Sequence, residues 1–371
     1  MIPSIRVFGN PQNQSGYGNA TQNISKAISD AGVGGEFVFS GPNKAFSKNL
    51  TTSGKSPKVD LYIQTPPFNK HASNNYKIGY FYWEADILPR VWAKDIRKTL
   101  DEIWVPCELT KKSCIKAGFS GPIEILPTPI EFLDRSRKTY FREYGQDLVF
   151  SNNVFKFYSI FQWNERKGYN KLIRGYLESF SSKDNVVLIL KVNPINHKNH
   201  GISKIKRDIM KIKSLVSIRR KDLPKILLIK DFLTRDQIES IHHSCDAFVL
   251  PHHGEGWGMP IHDAINHNNS IITTKYGGIT EWLNDDNSFV ISHKIGPVKP
   301  MNWNPWYDSR QNWAMPSLSS LKNNMITCFN DKALRDKRKS GLENIVDLFT
   351  ISRCSESILE ILSSNRFRKH S

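Results

Sequence analysis

Short apolar runs rich in β-branched and aromatic residues return along the whole chain, each separated from the next by a helix-like stretch. "IRVF", "EFVF", "DLYI", "KIGYFYW" and "EIWV" come first, then "FKFYSIF", "VVLILKV", "KILLI", "AFVL", "SIITT" and "SFVI". Strands alternating with helices predict an α/β protein built on parallel sheets. The intervening helices are expected at Asn19 to Ala31, Leu88 to Thr99, Leu109 to Ala117, Tyr169 to Ser181, Lys204 to Ile218 and Thr234 to Ser244. Thr234 to Gln237, "TRDQ", reads as a capping box opening the last of these. The alternation pauses at residues 134–153, a polar and basic stretch without a clear strand, and a domain boundary is expected there. A chain of 371 residues suits two domains. Each would be a doubly wound half, with a cleft between them and ligands at the carboxyl ends of strands. The closing run from "SLKNNMITCF" to "ISRCSESILEILSS" reads as helices packed outside the sheets.

Hydrophobic residues at 39% and aromatics at 11% exclude a disordered chain. No window approaches the roughly 18 apolar residues of a membrane span, and the N-terminus lacks the pattern of an export signal, so a cytoplasmic protein is expected. Cys107, Cys114, Cys245, Cys328 and Cys354 show neither a C-x-x-C pair nor a His/Cys cluster, which suggests free thiols and no zinc site. Lys plus Arg exceed Asp plus Glu by 52 − 35 = 17. Such a field predicts an anionic partner: nucleotide, nucleic acid, anionic lipid or acidic polysaccharide.

The segment "HHGEGWGMPIHDA", residues 252–264, follows the strand "AFVL". Its glycines at 254, 256 and 258 break that strand, and Pro260 suits the first turn of a new helix. The bend therefore falls at the carboxyl end of a strand. Backbone N–H groups of Gly256, Trp257, Gly258 and Met259 can seat a phosphate at the positive end of that helix. Asp263 can accept from a sugar's neighbouring hydroxyls, and Glu255 can reach another polar group of the same ligand. His252 and His253 flank the bend without metal-ligand spacing, and His262 is expected to line the helix.

"EGWGMPIHDA" resembles the signature of the retaining GT-B glycosyltransferases of the GT4-like group, two acids seven positions apart in an "EGxGxPxxEA" context. The resemblance implies that Glu255 contacts the donor sugar, that the Gly256 to Met259 amides hold a diphosphate, and that Asp263 holds the ribose. Asp stands at position 263 where the family has Glu, shortening the reach by roughly 1.5 Å. "FYSIFQWNERKGYNKLIRGY" resembles the opening of the family's nucleotide-binding domain. It implies that Lys167 neutralises the leaving diphosphate, with Arg166 standing in for an arginine that the family carries just after the strand. "TTKYGGITEWL" resembles the segment after the acidic motif, with Gly278 and Glu281 as donor-side residues. "QNQSGYGNATQNISKAI" resembles the loop after the first strand, where Gly16 and Gly18 would let the backbone approach the reaction centre. The stretch from Tyr80 to Phe119 resembles the later N-terminal domain of bacterial and viral members, with Trp83 and Glu84 at the cleft as acceptor or sugar contacts, against the reading of a packing tryptophan beside a surface carboxylate.

These resemblances imply a GT-B fold: an acceptor-side domain over 1–150, a nucleotide-sugar domain over 151–349, and a helix with a basic tail over 350–371 on the outside. They imply a retaining hexosyl- or pentosyltransferase that uses a nucleotide-diphosphate sugar as co-substrate and needs no metal or other cofactor. The acceptor stays open. The charge favours a hydroxylated base in DNA, as in a phage-type modification in the host cytoplasm, with phosphate contacts and base flipping. The alternative is a cell-surface glycan or glycolipid, with basic residues resting on an anionic membrane. A non-catalytic sugar-binding module is the reading from another class.

Overall fold

The structure is a computed structural model that describes residues 2–11, 16–39, 47–51, 58–68, 73–130, 153–194, 199–217, 221–301, 304–364 and 366–367. The first sheet contains β1 (Ile5–Gly9), β2 (Gly35–Phe39), β3 (Ser47–Thr51), β4 (Val59–Ile63), β5 (Tyr76–Tyr80), β6 (Glu102–Val105) and β7 (Ile123–Ile125) in the order 3-2-1-4-5-6-7. Only β3 pairs antiparallel, along β2. The second sheet holds β8 (Phe155–Gln162), β9 (Val186–Asn193), β10 (Lys225–Ile229), β11 (Ala247–Leu250), β12 (Ser270–Thr274) and β13 (Phe289–Ile291), all parallel, in the order 10-9-8-11-12-13. Two doubly wound Rossmann-like domains result, the α/β class expected from the alternation and the two-domain GT-B arrangement that the family resemblance implies. Every residue of β4, β6, β11 and β12 is buried, as in sheets covered on both faces.

Helices α1 (Gly16–Asp30), α2 (Arg90–Thr99) and α3 (Glu108–Lys116) belong to the first sheet. Helices α4 (Tyr169–Ser179), α5 (Asn199–Ser217), α6 (Arg235–Ser244) and α7 (Met259–Asn266) connect strands of the second. Thr234 caps α6 through the capping box its sequence predicts: its side chain accepts from the Gln237 N–H, and the Gln237 side chain accepts from the Thr234 N–H. In α5 the stripe Ile205, Ile209, Ile212 and Val216 is buried while Lys204, Lys206 and Lys211 face out. The expected boundary at 134–153 lies, but for Asn153, outside the described residues.

Beyond β13 the chain departs from the alternation. An antiparallel hairpin, β14 (His293–Pro297) and β15 (Asn312–Pro316), precedes α8 (Leu318–Asn330), α9 (Lys332–Ser340), α10 (Glu343–Leu348) and α11 (Ile351–Leu362). Helix α11 returns to the first domain. Ile358, Leu362 and Phe367 join the core formed by β1, β4 and α1, and the Ser355 hydroxyl donates to the Ala27 carbonyl at 2.9 Å. Arg366 then bridges Glu102 and Glu124 at 2.9 and 2.6 Å. The closing helix is thus part of the first domain's core and not only an outer layer. All five cysteines are free and buried, and among the described residues no helix is long and apolar enough to cross a membrane.

Candidate active site

In a sheet ordered 10-9-8-11-12-13 the connections leave β8 and β11 in opposite directions, which opens a crevice at their carboxyl ends. The two loops that border it are 163–168 and 251–258. They are laced together: the His253 N–H donates to the Arg166 carbonyl at 2.7 Å. Gly168 closes the first loop at φ +69°, and a Cβ there would lie 1.9 Å from the Pro251 carbonyl oxygen. Only glycine meets both demands.

This lacing brings Arg166, Lys167 and Glu255 into one ionic cluster. Lys167 Nζ lies 2.5 Å and Arg166 Nη1 3.1 Å from the same Glu255 oxygen. Arg166 also donates to the Gly254 carbonyl at 2.5 Å and stands 3.4 Å from Glu84, which arrives from the end of β5 in the other domain. Gly254 lets the domains touch here, since a Cβ would fall 2.2 Å from the Glu84 carbonyl oxygen. Glu255 is 5% exposed. Burial alone would raise its pKa, but Lys167 and Arg166 outweigh it and hold the carboxyl at about 2. The site therefore presents an ionised carboxylate beneath two cations at the domain interface.

The glycine-rich bend behaves as its sequence predicts. Gly258, at φ +87°, is the N-cap of α7, with Pro260 in the first turn. Pro260 has no N–H and the Ile261 N–H donates to the Gly258 carbonyl at 2.8 Å, so an anion at this end of α7 would meet the amides of the bend ahead of Pro260. Gly278 donates to the Glu255 carbonyl at 2.8 Å, and a Cβ on it would lie 2.2 Å from the Gly256 oxygen, so the second glycine segment buttresses the bend from behind. Across the cleft, a Cβ on Gly16 would come within 2.8 Å of the Met259 methyl group, so Gly16 lies beside the start of α7. Gly18, expected in the same loop, is buried within α1, which begins three residues earlier than its sequence suggests.

Other expected residues have different neighbours. Trp83, read as a cleft residue, is 1% exposed and packs between Trp92 and Tyr307, its indole N–H donating to the Ile87 carbonyl at 2.7 Å. It is a packing tryptophan, because the hairpin covers the end of β5. Trp257 contributes its backbone to the bend while its ring is buried against His262 and Phe349. Glu281 accepts from the Glu108 N–H at 3.0 Å and so caps α3 of the other domain. Asp263 is buried on α7, and both its oxygens receive hydrogen bonds from Arg235, at 3.0 and 2.9 Å. Burial raises its pKa, and the Arg235 charge more than reverses that.

A planar fork tolerates little change in reach. Asp263→Glu is accordingly expected to lower stability by about 1–2 kcal/mol, at the modest end for a charged hydrogen bond because the Arg235 side chain is 43% exposed. Urea denaturation measures this, and an unchanged midpoint would show that Arg235 does not depend on the length of residue 263.

Four imidazoles surround these elements. Burial draws His242, His252 and His262 down to about 3 and His253 to about 4, so they are neutral in the folded protein. The unfolded chain takes up those protons near pH 6.5, so stability is complete above that value and falls as pH drops toward 3–4. Denaturant midpoints are expected to fall steadily from pH 7 to pH 5, and a flat profile would place these rings in contact with water. Among the described residues no group of three or more His, Cys, Asp or Glu side chains is placed to hold a metal ion.

With this geometry in view, the comparisons are consistent with one another. Residues 216–294 match the family described as Glycosyl transferases group 1, a segment that includes Glu255, Asp263 and the second glycine pair. The fold is similar to Anabaena HepE in complex with UDP and glucose, at TM-score 0.66 and 13% identity over 97% of this chain and 99% of that one. It is similar to an E. coli trehalose-6-phosphate structure bound with UDP-2-fluoro glucose, at TM-score 0.67 and 11% identity over 97% and 98%. A UDP-forming α,α-trehalose-phosphate synthase from Burkholderia xenovorans gives TM-score 0.67 at 10% identity over 98% and 99%. No curated protein matches the sequence significantly. The structural likenesses establish the GT-B fold. The group 1 segment falls in the second domain of that fold and carries Glu255 and Asp263.

Three neighbours of the expected site residues were not themselves read as site residues from the sequence. Arg235 and Tyr307 sit far along the chain from the acids they hold, and the hairpin carrying Tyr307 interrupts the strand–helix rhythm. A proline- and tryptophan-rich stretch, "PVKPMNWNPWYDSRQNW", was the visible irregularity at that place. His252 was noted beside the motif, but only the structure shows that it is fully buried against the ionic cluster.

Proposed function

We propose that this protein transfers a hexose or pentose from a nucleotide-diphosphate sugar to an acceptor hydroxyl with retention at the anomeric carbon. The observation that carries the reading is the Arg166–Lys167–Glu255 cluster at the crevice between β8 and β11, beside the start of α7. When a donor enters, the two cations and the helix amides neutralise the departing diphosphate, which is the charge that develops in the transition state. That supply of positive charge is why no metal is invoked. Glu255 orients the donor sugar and, with the donor absent, keeps both cations aimed at the cleft. The attacking hydroxyl passes its proton to the leaving phosphate on the same face. A product of inverted configuration overturns this step. The UDP, glucose and UDP-2-fluoro glucose held by the structural neighbours make UDP-sugars the first donors to try.

The acceptor follows from charge. The excess of 17 basic residues exceeds what a nucleotide sugar requires, and it favours a polyanion, DNA carrying a hydroxylated base, over a neutral glycan. The deciding experiment incubates the protein with UDP-, GDP- and ADP-linked sugars, with and without duplex DNA bearing hydroxymethylated bases, and detects released nucleotide diphosphate. Release stimulated by that DNA supports both the reaction and the acceptor. Release without stimulation keeps the transferase and moves the acceptor to a glycan or glycolipid. No release with any donor overturns the transferase in favour of a binding module.

A further inference from the structure

The hairpin β14–β15 belongs to neither sheet, and the group 1 match ends at residue 294, where the hairpin begins. Its connecting segment nevertheless reaches the site. Val298, Met301, Tyr307 and Trp313 are buried in one cluster with Phe81, Trp83 and Trp92 of the first domain. The hairpin is fastened on both sides of the cleft. Asn312 receives the Asp86 N–H on its carbonyl and donates to the Asp86 carboxylate through its own N–H at 2.6 Å. The Ala314 N–H donates to the His253 carbonyl at 2.9 Å.

Within this strap Tyr307 is 6% exposed and lies stacked on Trp83, ring centroids 5.0 Å apart and planes 18° from parallel. That stacking aims its phenol at Glu84, to which it donates at 2.6 Å. The other Glu84 oxygen faces Arg166 at 3.4 Å, and Arg166 in turn holds Glu255. A carboxylate between a phenol and a guanidinium has its orientation set by both.

We propose that Tyr307 is a positioning residue of the transfer site: its phenol holds Glu84, and through Glu84 it fixes the Arg166 guanidinium against Glu255 and toward the diphosphate. The inference rests on the transferase reading. It assigns the aromatic strap, which carries neither a nucleotide-binding motif nor a sheet strand, a role in how the cations are aimed. Tyr307 touches neither donor nor acceptor in this role, so it acts on the rate at which bound donor reacts more than on how tightly donor binds.

The test uses the full chain and the donor that the wild type turns over fastest. Tyr307→Phe keeps the ring on Trp83 and removes only the hydroxyl. It is expected to lower kcat about tenfold, the scale of one hydrogen bond to a charged group, with the donor KM within twofold and the melting temperature close to wild type. Combined with Glu84→Gln, it is expected to add little to the loss that Glu84→Gln causes alone. Trp306→Phe alters a ring that lies against Trp92, centroids 5.7 Å apart, while leaving the Tyr307 phenol on Glu84, and is expected to leave kcat within twofold. Wild-type kcat in Tyr307→Phe, a full multiplicative loss in the double variant, or an equal kcat loss in Trp306→Phe overturns the proposal while leaving the transferase reading in place. A wild type inert toward every donor overturns both.

Discussion

Lys167→Ala is expected to lower transfer by about 10²–10³-fold while leaving the denaturation midpoint close to wild type. The asymmetry follows from the cluster. Removing the lysine takes away a cation that meets the diphosphate, yet Glu255 keeps Arg166 as a partner at 3.1 Å and is not left as a bare buried charge. Glu255→Ala is expected to lose comparable activity and, in addition, about 3 kcal/mol of stability, because Arg166 and Lys167 are then packed together without their shared carboxylate. Steady-state kinetics beside urea titration separate the two. Unchanged turnover in Lys167→Ala would remove that residue from the mechanism, and equal stability in the two variants would show that water reaches the cations.

Gly168→Ala is expected to destabilise the protein by about 3–5 kcal/mol and to abolish activity with it. The comparison that isolates the cause is Gly32→Ala. Both glycines have nearly the same left-handed conformation, φ +69° and +68°, but an added Cβ at Gly32 meets nothing within 4 Å, while at Gly168 it meets a backbone carbonyl at 1.9 Å. Gly32→Ala carries only the conformational penalty of about 1–2 kcal/mol. The remainder at Gly168 measures how tightly loop 163–168 is seated on loop 251–258, and hence how firmly Arg166 and Lys167 are aimed. Similar losses for the two substitutions would mean that the loops part easily.

Much of this architecture was legible from short windows. The runs "AFVL" and "SIITT" carry enough apolar surface to be buried on both faces, and both became strands in the middle of a parallel sheet. The capping box at Thr234 and the bend at Gly258 depend only on residues three or four apart, so local preference sufficed. The same windows failed where no pattern repeats. Strand β7 is three residues long, and the hairpin strands β14 and β15 flank a proline- and tryptophan-rich segment with no period of two or of 3.6.

The sequence by itself determined the α/β class, the strand–helix alternation over most of the chain, and the local conformation of the bend at Gly258 and Pro260. Each of these depends on backbone conformation or burial, which neighbouring residues dictate. Which charge meets which was decided only by the tertiary structure. Arg166 and Glu255 are 89 residues apart, Arg235 and Asp263 are 28 apart, and Tyr307 and Glu84 are 223 apart. A carboxylate carries no local mark of the cation that will face it, so Asp263 reads as a free ribose ligand in the chain and stands as the partner of Arg235 in the fold. Packing two sheets, a crossing helix and an aromatic strap around one crevice creates those pairs, because burial leaves each charge only the partners that the topology brings within reach.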